Sequence, residues 1–261
     1  MKTYLILWVA VISMLPGALF AQGFGRETAH EPLLWTLFLP SVRVNDRWQV
    51  ECEIHNRWAD DKMSRQNLLI RPLVSYFLKN GVQFTTGYTY VETYPYGSYP
   101  VAMTMPQHQW CEQVMFRHSI GKINLAHRYR LEQLWTGQSA LHADGSRYIK
   151  DYQFGQRFRY RLAGTRDITK KLFASCWDEI LLNVDPGFGV TGINQNWIFL
   201  GLGYRLTKEW SVQAGYFNTW QPKGANAVTG VQRYEGNHGA SIGVFYALSV
   251  HTKSKATPRD E

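Results

Sequence analysis

Apolar and polar side chains alternate along residues 196–221. Ile198, Leu200, Leu202, Tyr204 and Leu206 share one parity, and Gly201, Gly203 and Arg205 share the other. After the polar turn Thr207-Lys208-Glu209, the residues Trp210, Val212, Ala214 and Tyr216 alternate with Ser211, Gln213 and Gly215. A period of two in β-favouring residues predicts strands, here paired as a hairpin. Large apolar and aromatic residues occupy one face; glycine and charge occupy the other. A soluble sandwich hides its apolar face from water, whereas a membrane barrel turns that face to lipid and its polar face to the lumen.

The same period recurs along the chain. Beside the hairpin, strands are predicted over residues 33–44, 47–58, 67–78, 82–92, 109–119, 123–135, 151–163, 172–183 and 238–250. Trp48, Val50, Cys52 and Ile54 oppose Gln49, Glu51, Glu53, His55 and Arg57. Leu68, Ile70, Pro72, Val74 and Tyr76 oppose Asn67, Arg71 and Ser75. Ala240, Ile242, Val244, Tyr246 and Leu248 form one face of the last strand. Pro72 has no amide hydrogen for a ladder and calls for a bulge or an irregular pairing.

Asn45-Asp46, Lys79-Asn80-Gly81 and Gly121-Lys122 read as tight turns, and Asp185-Pro186-Gly187 as a break. Residues 93–107, 136–149 and 222–237 read as long loops. Short and long connections therefore alternate, as in outer-membrane barrels with short periplasmic turns and longer outer loops. The predicted strands number eleven. Single-chain bacterial barrels have an even number. The expectation is an all-β, antiparallel up-and-down transmembrane β-barrel of about 12 strands, with ten as the fallback. A missing strand is sought near Gly23 to His30.

The first residues read as a targeting segment. Lys2 precedes an apolar run over residues 4–15, Pro16-Gly17 breaks it, and Ala18 to Ala21 supply small residues for cleavage before Gln22. That is the anatomy of a secretory signal peptide, and the run is shorter than the ~20 residues of a spanning helix. The expected organisation is a signal peptide over residues 1–21, one barrel domain over 22–250 and a polar tail over 251–261. Assembly machinery favours an aromatic near the end of the last strand, a part left to Phe245 or Tyr246.

Composition fits this picture. Of 261 residues, 15% are aromatic, including 10 Trp and 15 Tyr, and only 18% are charged. Tyr and Trp suit the interfacial girdles of a barrel; an aromatic-rich soluble β protein is the alternative. The net charge of +8 is dispersed and accompanies no nucleic-acid-binding module, so nucleic acid is set aside. A basic lumen or rim would attract anions or lipopolysaccharide phosphates. Cys52, Cys111 and Cys176 form neither a disulfide framework nor a zinc pattern. They read as small apolar residues, and nothing in their spacing supports a Cys111–Cys176 bridge.

With the apolar faces outward, the other faces meet in the lumen. They bring Glu51, Glu53, His55, Arg57, Arg71, Arg128, Arg130, Glu132, Arg157, Arg159, Arg161, Glu179 and Arg205. Arginine at every second residue of two strands is a specific pattern. Arg and Glu facing each other across a narrow barrel would pair by bidentate hydrogen bonds, because an unpaired buried charge is costly. Arg205 is expected to pair with Glu132 or Glu179. The structural reading is a salt-bridged filling; the functional one is an anion path or a site for an acidic ligand.

A membrane hydrolase needs a base within reach of a nucleophilic hydroxyl. No His-x-Ser spacing occurs. His118 and Ser119 are adjacent and so point to opposite faces, at the periplasmic end. His127 shares the outward parity of Leu125 and Tyr129. Asp178 and Glu179 are likewise separated by adjacency. His142-Ala143-Asp144 offers too few ligands for a metal, and no glycine-rich phosphate cradle is present. No cofactor, metal or catalytic residue is assigned.

The runs His127-Arg128-Tyr129-Arg130-Leu131-Glu132-Gln133, Phe158-Arg159-Tyr160-Arg161-Leu162, Asp178-Glu179-Ile180-Leu181-Leu182-Asn183 and Leu200-Gly201-Leu202-Gly203-Tyr204-Arg205-Leu206, in this order, resemble the domain-of-unknown-function 2490 (DUF2490) family. The resemblance extends from about Trp35 to Leu248. It implies an outer-membrane β-barrel of Gram-negative bacteria with no assigned activity, so no catalytic residue is carried over. Outer-membrane lipid, lipopolysaccharide and the barrel-assembly machinery are the expected partners. A non-enzymatic barrel, structural or binding or passing a small anion, is the expected function; a lipid hydrolase of phospholipase or deacylase type is the alternative.

Overall fold

A computed structural model describes residues 26–184 and 190–250. The proposed signal segment, the polar tail and the Asp185-Pro186-Gly187 break lie outside the described residues. The strands are β1 (Arg26–Ala29), β2 (Pro32–Arg43), β3 (Trp48–Ala59), β4 (Ser64–Phe77), β5 (Gln83–Thr93) and β6 (Met105–Ile120). They continue with β7 (Ile123–Leu141), β8 (Arg147–Asp167), β9 (Leu172–Val184), β10 (Val190–Arg205), β11 (Trp210–Ala225) and β12 (Gln232–Ser249).

Each strand from β2 to β12 pairs antiparallel with the next, and β12 then pairs with β2 to close the ring. All eleven expected strands are present. The twelfth, β1, falls where it was sought, yet it is not a further stave. It continues the line of β2 and pairs with the start of β12, Ala29 opposite Glu235. The wall therefore has eleven staves and its seam departs from an all-antiparallel ring. In an up-and-down ring of odd number the first and last staves run the same way, so β12 and β2 pair parallel, from His238 opposite Pro32 to Ser249 opposite Arg43. At this seam a Cβ on Gly239 would lie 1.9 Å from the carbonyl oxygen of Leu33; only glycine allows that approach.

One end of the barrel carries short turns at 44–47, 78–82, 121–122, 168–171 and 206–209. Gly121 turns the tightest of them with a φ of +58°. At the opposite end, among the described residues, only 94–104 is a long connection. The expected loops at 136–149 and 222–237 are mostly strand: β7–β8 and β11–β12 run past the rim and turn at 142–146 and 226–231. Polar, glycine-rich composition hid pairing that the backbone sustains without an apolar face. At Pro72 the β4–β5 ladder is interrupted between the pairs Ile70–Tyr90 and Leu73–Gly87 with its register kept, so there is a gap and no bulge.

Polarity follows the expected inversion. Leu200, Leu202 and Tyr216 are 62%, 52% and 51% exposed on the outer wall, while Phe217, Arg130 and Glu132 are fully buried inside. Cys52, Cys111 and Cys176 are free thiols.

Candidate functional site

The inward charges of five strands converge on one network. Glu53 (β3) accepts from Arg71 (β4) at 2.6 Å and lies 3.4 Å from Arg130 (β7). Arg157 (β8) donates Nε and Nη2 to Glu132 Oε2 (β7) at 2.8 and 2.6 Å. Arg159 bridges the two remaining carboxylates, donating Nη1 to Glu132 at 2.9 Å and Nε to Glu179 (β9) at 2.7 Å. Glu179 also accepts from Arg128 at 2.6 Å. The Glu53–Arg130 contact and the 3.7 Å contact between Arg71 and Glu132 join strands that are not wall neighbours, so the network crosses the lumen. Hydroxyls and amides fill the remaining valences: Arg71 donates Nε to Thr89, and Arg130 donates Nε to Gln113.

These pairs are charge-assisted and short, the strong class of hydrogen bond. Their burial makes them all-or-none: each carboxylate is tolerable only with its arginines in place. The expected lumen set is thus brought together, with exceptions. Arg205 points inward as expected, yet its partner is Asp167 at 2.7 Å on the exposed short-turn rim, not Glu132 or Glu179. Its position at the last residue of β10 keeps it well below those mid-barrel groups. Glu51 is held by Gln49 at 2.8 Å, and His55 lies 3.5 Å from Glu53.

Arg57 and Arg161 stand apart from the network. Neither makes an ion pair with a described residue, and the buried Arg57 Nε has no hydrogen-bond partner. Arg57 instead lies over the ring of Trp35, 3.8 Å from its centroid, and 5.3 Å from that of Trp197. Arg161 sits 5.5 Å from Trp177. Such cation–π contacts contribute about 2 kcal/mol when desolvated.

Those rings belong to an inner wall that the alternation does not predict. Trp35, Trp197, Phe199 and Phe217 pack with Trp177 on the side of the lumen opposite the charges, with Trp35 and Phe217 4.3 Å apart. The one available signal is the run Trp197-Ile198-Phe199-Leu200, apolar on both parities. The lumen is therefore two-sided: aromatic along β2 and β9–β11, cationic along β3, β4, β7 and β8. Between the two sides lies a cavity of about 280 Å³. A second, of about 250 Å³, lies toward the 94–104 end, where Tyr96 caps the aromatic cluster and donates to Glu235 at 3.0 Å. Glu235 is a fully buried carboxylate in a segment expected as loop; Lys223 neutralises it at 3.1 Å.

The groups weighed for hydrolysis are not assembled. Ser119 donates to Asn124 at 2.8 Å, and His118 stacks on His127 with ring centroids 5.2 Å apart. His127 also lies 2.9 Å from the Tyr160 hydroxyl on the outer wall. Asp178 faces outward and accepts from Asn196 at 2.7 Å, with Glu179 inward. Asp144 of the His142-Ala143-Asp144 turn accepts from the amide and hydroxyl of Ser146.

No curated protein matches the chain significantly. The family model described as "protein of unknown function (DUF2490)" matches residues 33–229. That span takes in every strand that supplies the ion network and the aromatic wall facing it, and by this match the chain belongs to the DUF2490 family.

Proposed function

We propose that the protein is an outer-membrane β-barrel, exported by its N-terminal signal, whose lumen is closed to through-flow and holds a small anionic ligand. The observation that carries this reading is the inverted polarity of a closed wall: aliphatic and aromatic side chains outside, compensated charge inside. Two bands of outward aromatics support it. Trp48–Tyr76 and Trp210–Tyr246 pair toward the short-turn end. Trp135–Phe154 and Trp220–Tyr234 pair toward the other. Amphipathic rings in two belts suit the two headgroup layers. Lipid and lipopolysaccharide are then its surroundings, and the assembly machinery its route. The network from Glu53 to Glu179 would bar a wide pore, and the surplus of arginine over glutamate would attract anions.

Fractionation of cells expressing the full chain tests the location: recovery with outer membranes and heat-modifiable gel mobility are expected. Planar bilayers test the closure: no steady conductance is expected, and an ohmic pore would overturn it. One observation favours a soluble periplasmic barrel instead. The outer wall carries Glu112 and Asp178, held by Gln133 and Asn196, and lipid-facing carboxylates are costly. Full solubility without detergent would decide for that reading.

A further inference from the structure

The 280 Å³ cavity has two chemically opposed sides, and each asks for something different. On one side Trp35, Trp177, Trp197, Phe199, Phe217 and Phe245 present ring faces and edges. On the other, Arg57 and Arg161 present guanidinium groups without a direct ion pair to a described carboxylate. Glu53 and Glu179 lie further along the same lining, and the buried Arg57 Nε has no hydrogen-bond partner. A guanidinium has five donors and no acceptor. A buried donor left without a partner is costly, and more so when it is charged. Neighbouring arginines differ in being ion-paired, although Arg128 Nε and Arg130 Nη1 also lack a hydrogen-bond partner. Arg159 is paired with Glu132 and Glu179, and Arg157 with Glu132. The network already sets five arginines against three glutamates, and Arg57 and Arg161 add their charges at the cavity.

Size limits the guest. A dry cavity of about 150 Å³ accommodates benzene. A space of about 280 Å³ therefore holds one aromatic ring with a short tether and a small polar head. It is too small for a sugar chain or a phospholipid. An inorganic anion would satisfy the arginines and leave the aromatic side facing water. A neutral hydrocarbon would do the reverse and leave the guanidinium groups unpaired.

We infer that this cavity binds a small organic monoanion of arylalkanoate type, its ring on the Trp–Phe side and its carboxylate drawn by Arg57 and Arg161. The inference deepens the anion-binding reading above and rests on it. Entry is from the short-turn end, because the lining extends to Gln213 and Phe245 in that direction while Tyr96 covers the other. Removing an aryl carboxylate from a cell or admitting it differ in direction only; the site recognises the same chemistry in either case.

The test uses the full barrel in lipid nanodiscs, with 3-phenylpropionate, 3-phenylpropanol and inorganic phosphate as probes, read by calorimetry and by tryptophan fluorescence. Saturable 1:1 binding of 3-phenylpropionate is expected, at least about tenfold tighter than of the alcohol or of phosphate, the scale of one charge-assisted hydrogen bond. Arg57→Met and Arg161→Met should each remove that preference for the acid. Ser241→Trp, which fills the cavity without touching a charge, should abolish binding of the acid with the network intact. Heat-modifiable mobility of each variant reports folding, and Arg57→Lys, which keeps the charge, should retain part of the affinity. Equal binding of phosphate and phenylpropionate would overturn the aryl-carboxylate assignment and leave the anion-binding reading standing. Equal binding of acid and alcohol, or binding of neither anion, would overturn both.

Discussion

Arg157 meets Glu132 through two donors on a single oxygen, Nε at 2.8 Å and Nη2 at 2.6 Å from Oε2. The other oxygen of Glu132 is taken by Arg159 at 2.9 Å. The carboxylate has no exposed surface. Glu132 is thus the fully buried keystone of the mid-barrel network. Glu132→Gln should destabilise the barrel by about 3–5 kcal/mol, the cost of leaving buried guanidinium groups uncompensated. A double-mutant cycle with Arg157→Met, read by urea unfolding into detergent, should show strong coupling. Additive losses would mean that the pair is solvated.

The seam sets a second limit. A Cβ on Gly239 would stand 1.9 Å from the Leu33 carbonyl, and no flexible side-chain end is there to yield. Gly239→Val should separate β12 from β2 and abolish the compact, heat-modifiable form. A cost beyond the usual 1–3 kcal/mol of overpacking is expected, since backbone must move (about 3 kcal/mol or more). Gly155, with nothing within 4 Å of its Cβ position, is the control: Gly155→Ala should be neutral.

The 94–104 connection is tied down by specific contacts. Glu31 accepts from the amide and hydroxyl of Ser98, both at 2.8 Å, and Gly97 donates to Asp60 at 3.4 Å. Slight burial pushes the Asp60 carboxyl up, but hydrogen bonds from Ser64, Gly97 and Lys62 outweigh it and hold the group below its ordinary range. A lowered folded-state pKa stabilises above the unfolded value and is lost as pH falls through the folded one. Hydrogen exchange in 94–104 should therefore stay protected between about pH 5 and 8 and loosen only below about pH 4. Tyr96→Ala should loosen it at every pH and admit iodide to quench Trp197.

The outer wall discriminates lipid from water. Asp178 and Asn196 satisfy each other there at 2.7 Å. If lipid lies outside, Asp178→Leu combined with Asn196→Leu should raise the unfolding midpoint in nanodiscs, because a polar pair is replaced by the apolar surface that lipid favours. In a soluble barrel the same change would add exposed apolar area and promote aggregation. Urea titration and light scattering separate the two.

How much of this was legible beforehand depended on the range of the interaction. Strand parity is local, so the outward set Leu200, Leu202 and Tyr204 and the inward set Glu53, Arg71, Arg130 and Arg159 could be read from alternation. The partner of Arg205 could not. Sharing a parity with Glu132 says nothing of height along the barrel, and Arg205 ended at the rim with Asp167. Glu235, Asn237 and Lys223 were lost in an expected loop because their stretch lacks an apolar face. Trp197 and Phe217 escaped because alternation assigns one character to each face, and these strands are apolar on both.

The sequence by itself determined the strands, their polarity and the family, since a two-residue period and tight turns are written in neighbouring residues. Tertiary structure alone decided that the eleven staves close by a parallel seam, the contacts from Glu53 to Arg130 and from Arg71 to Glu132, and the division of the lumen into charged and aromatic sides. Each of these depends on which strands face one another across the closed ring. That is set by register and shear accumulated around the whole wall, which no local pattern encodes.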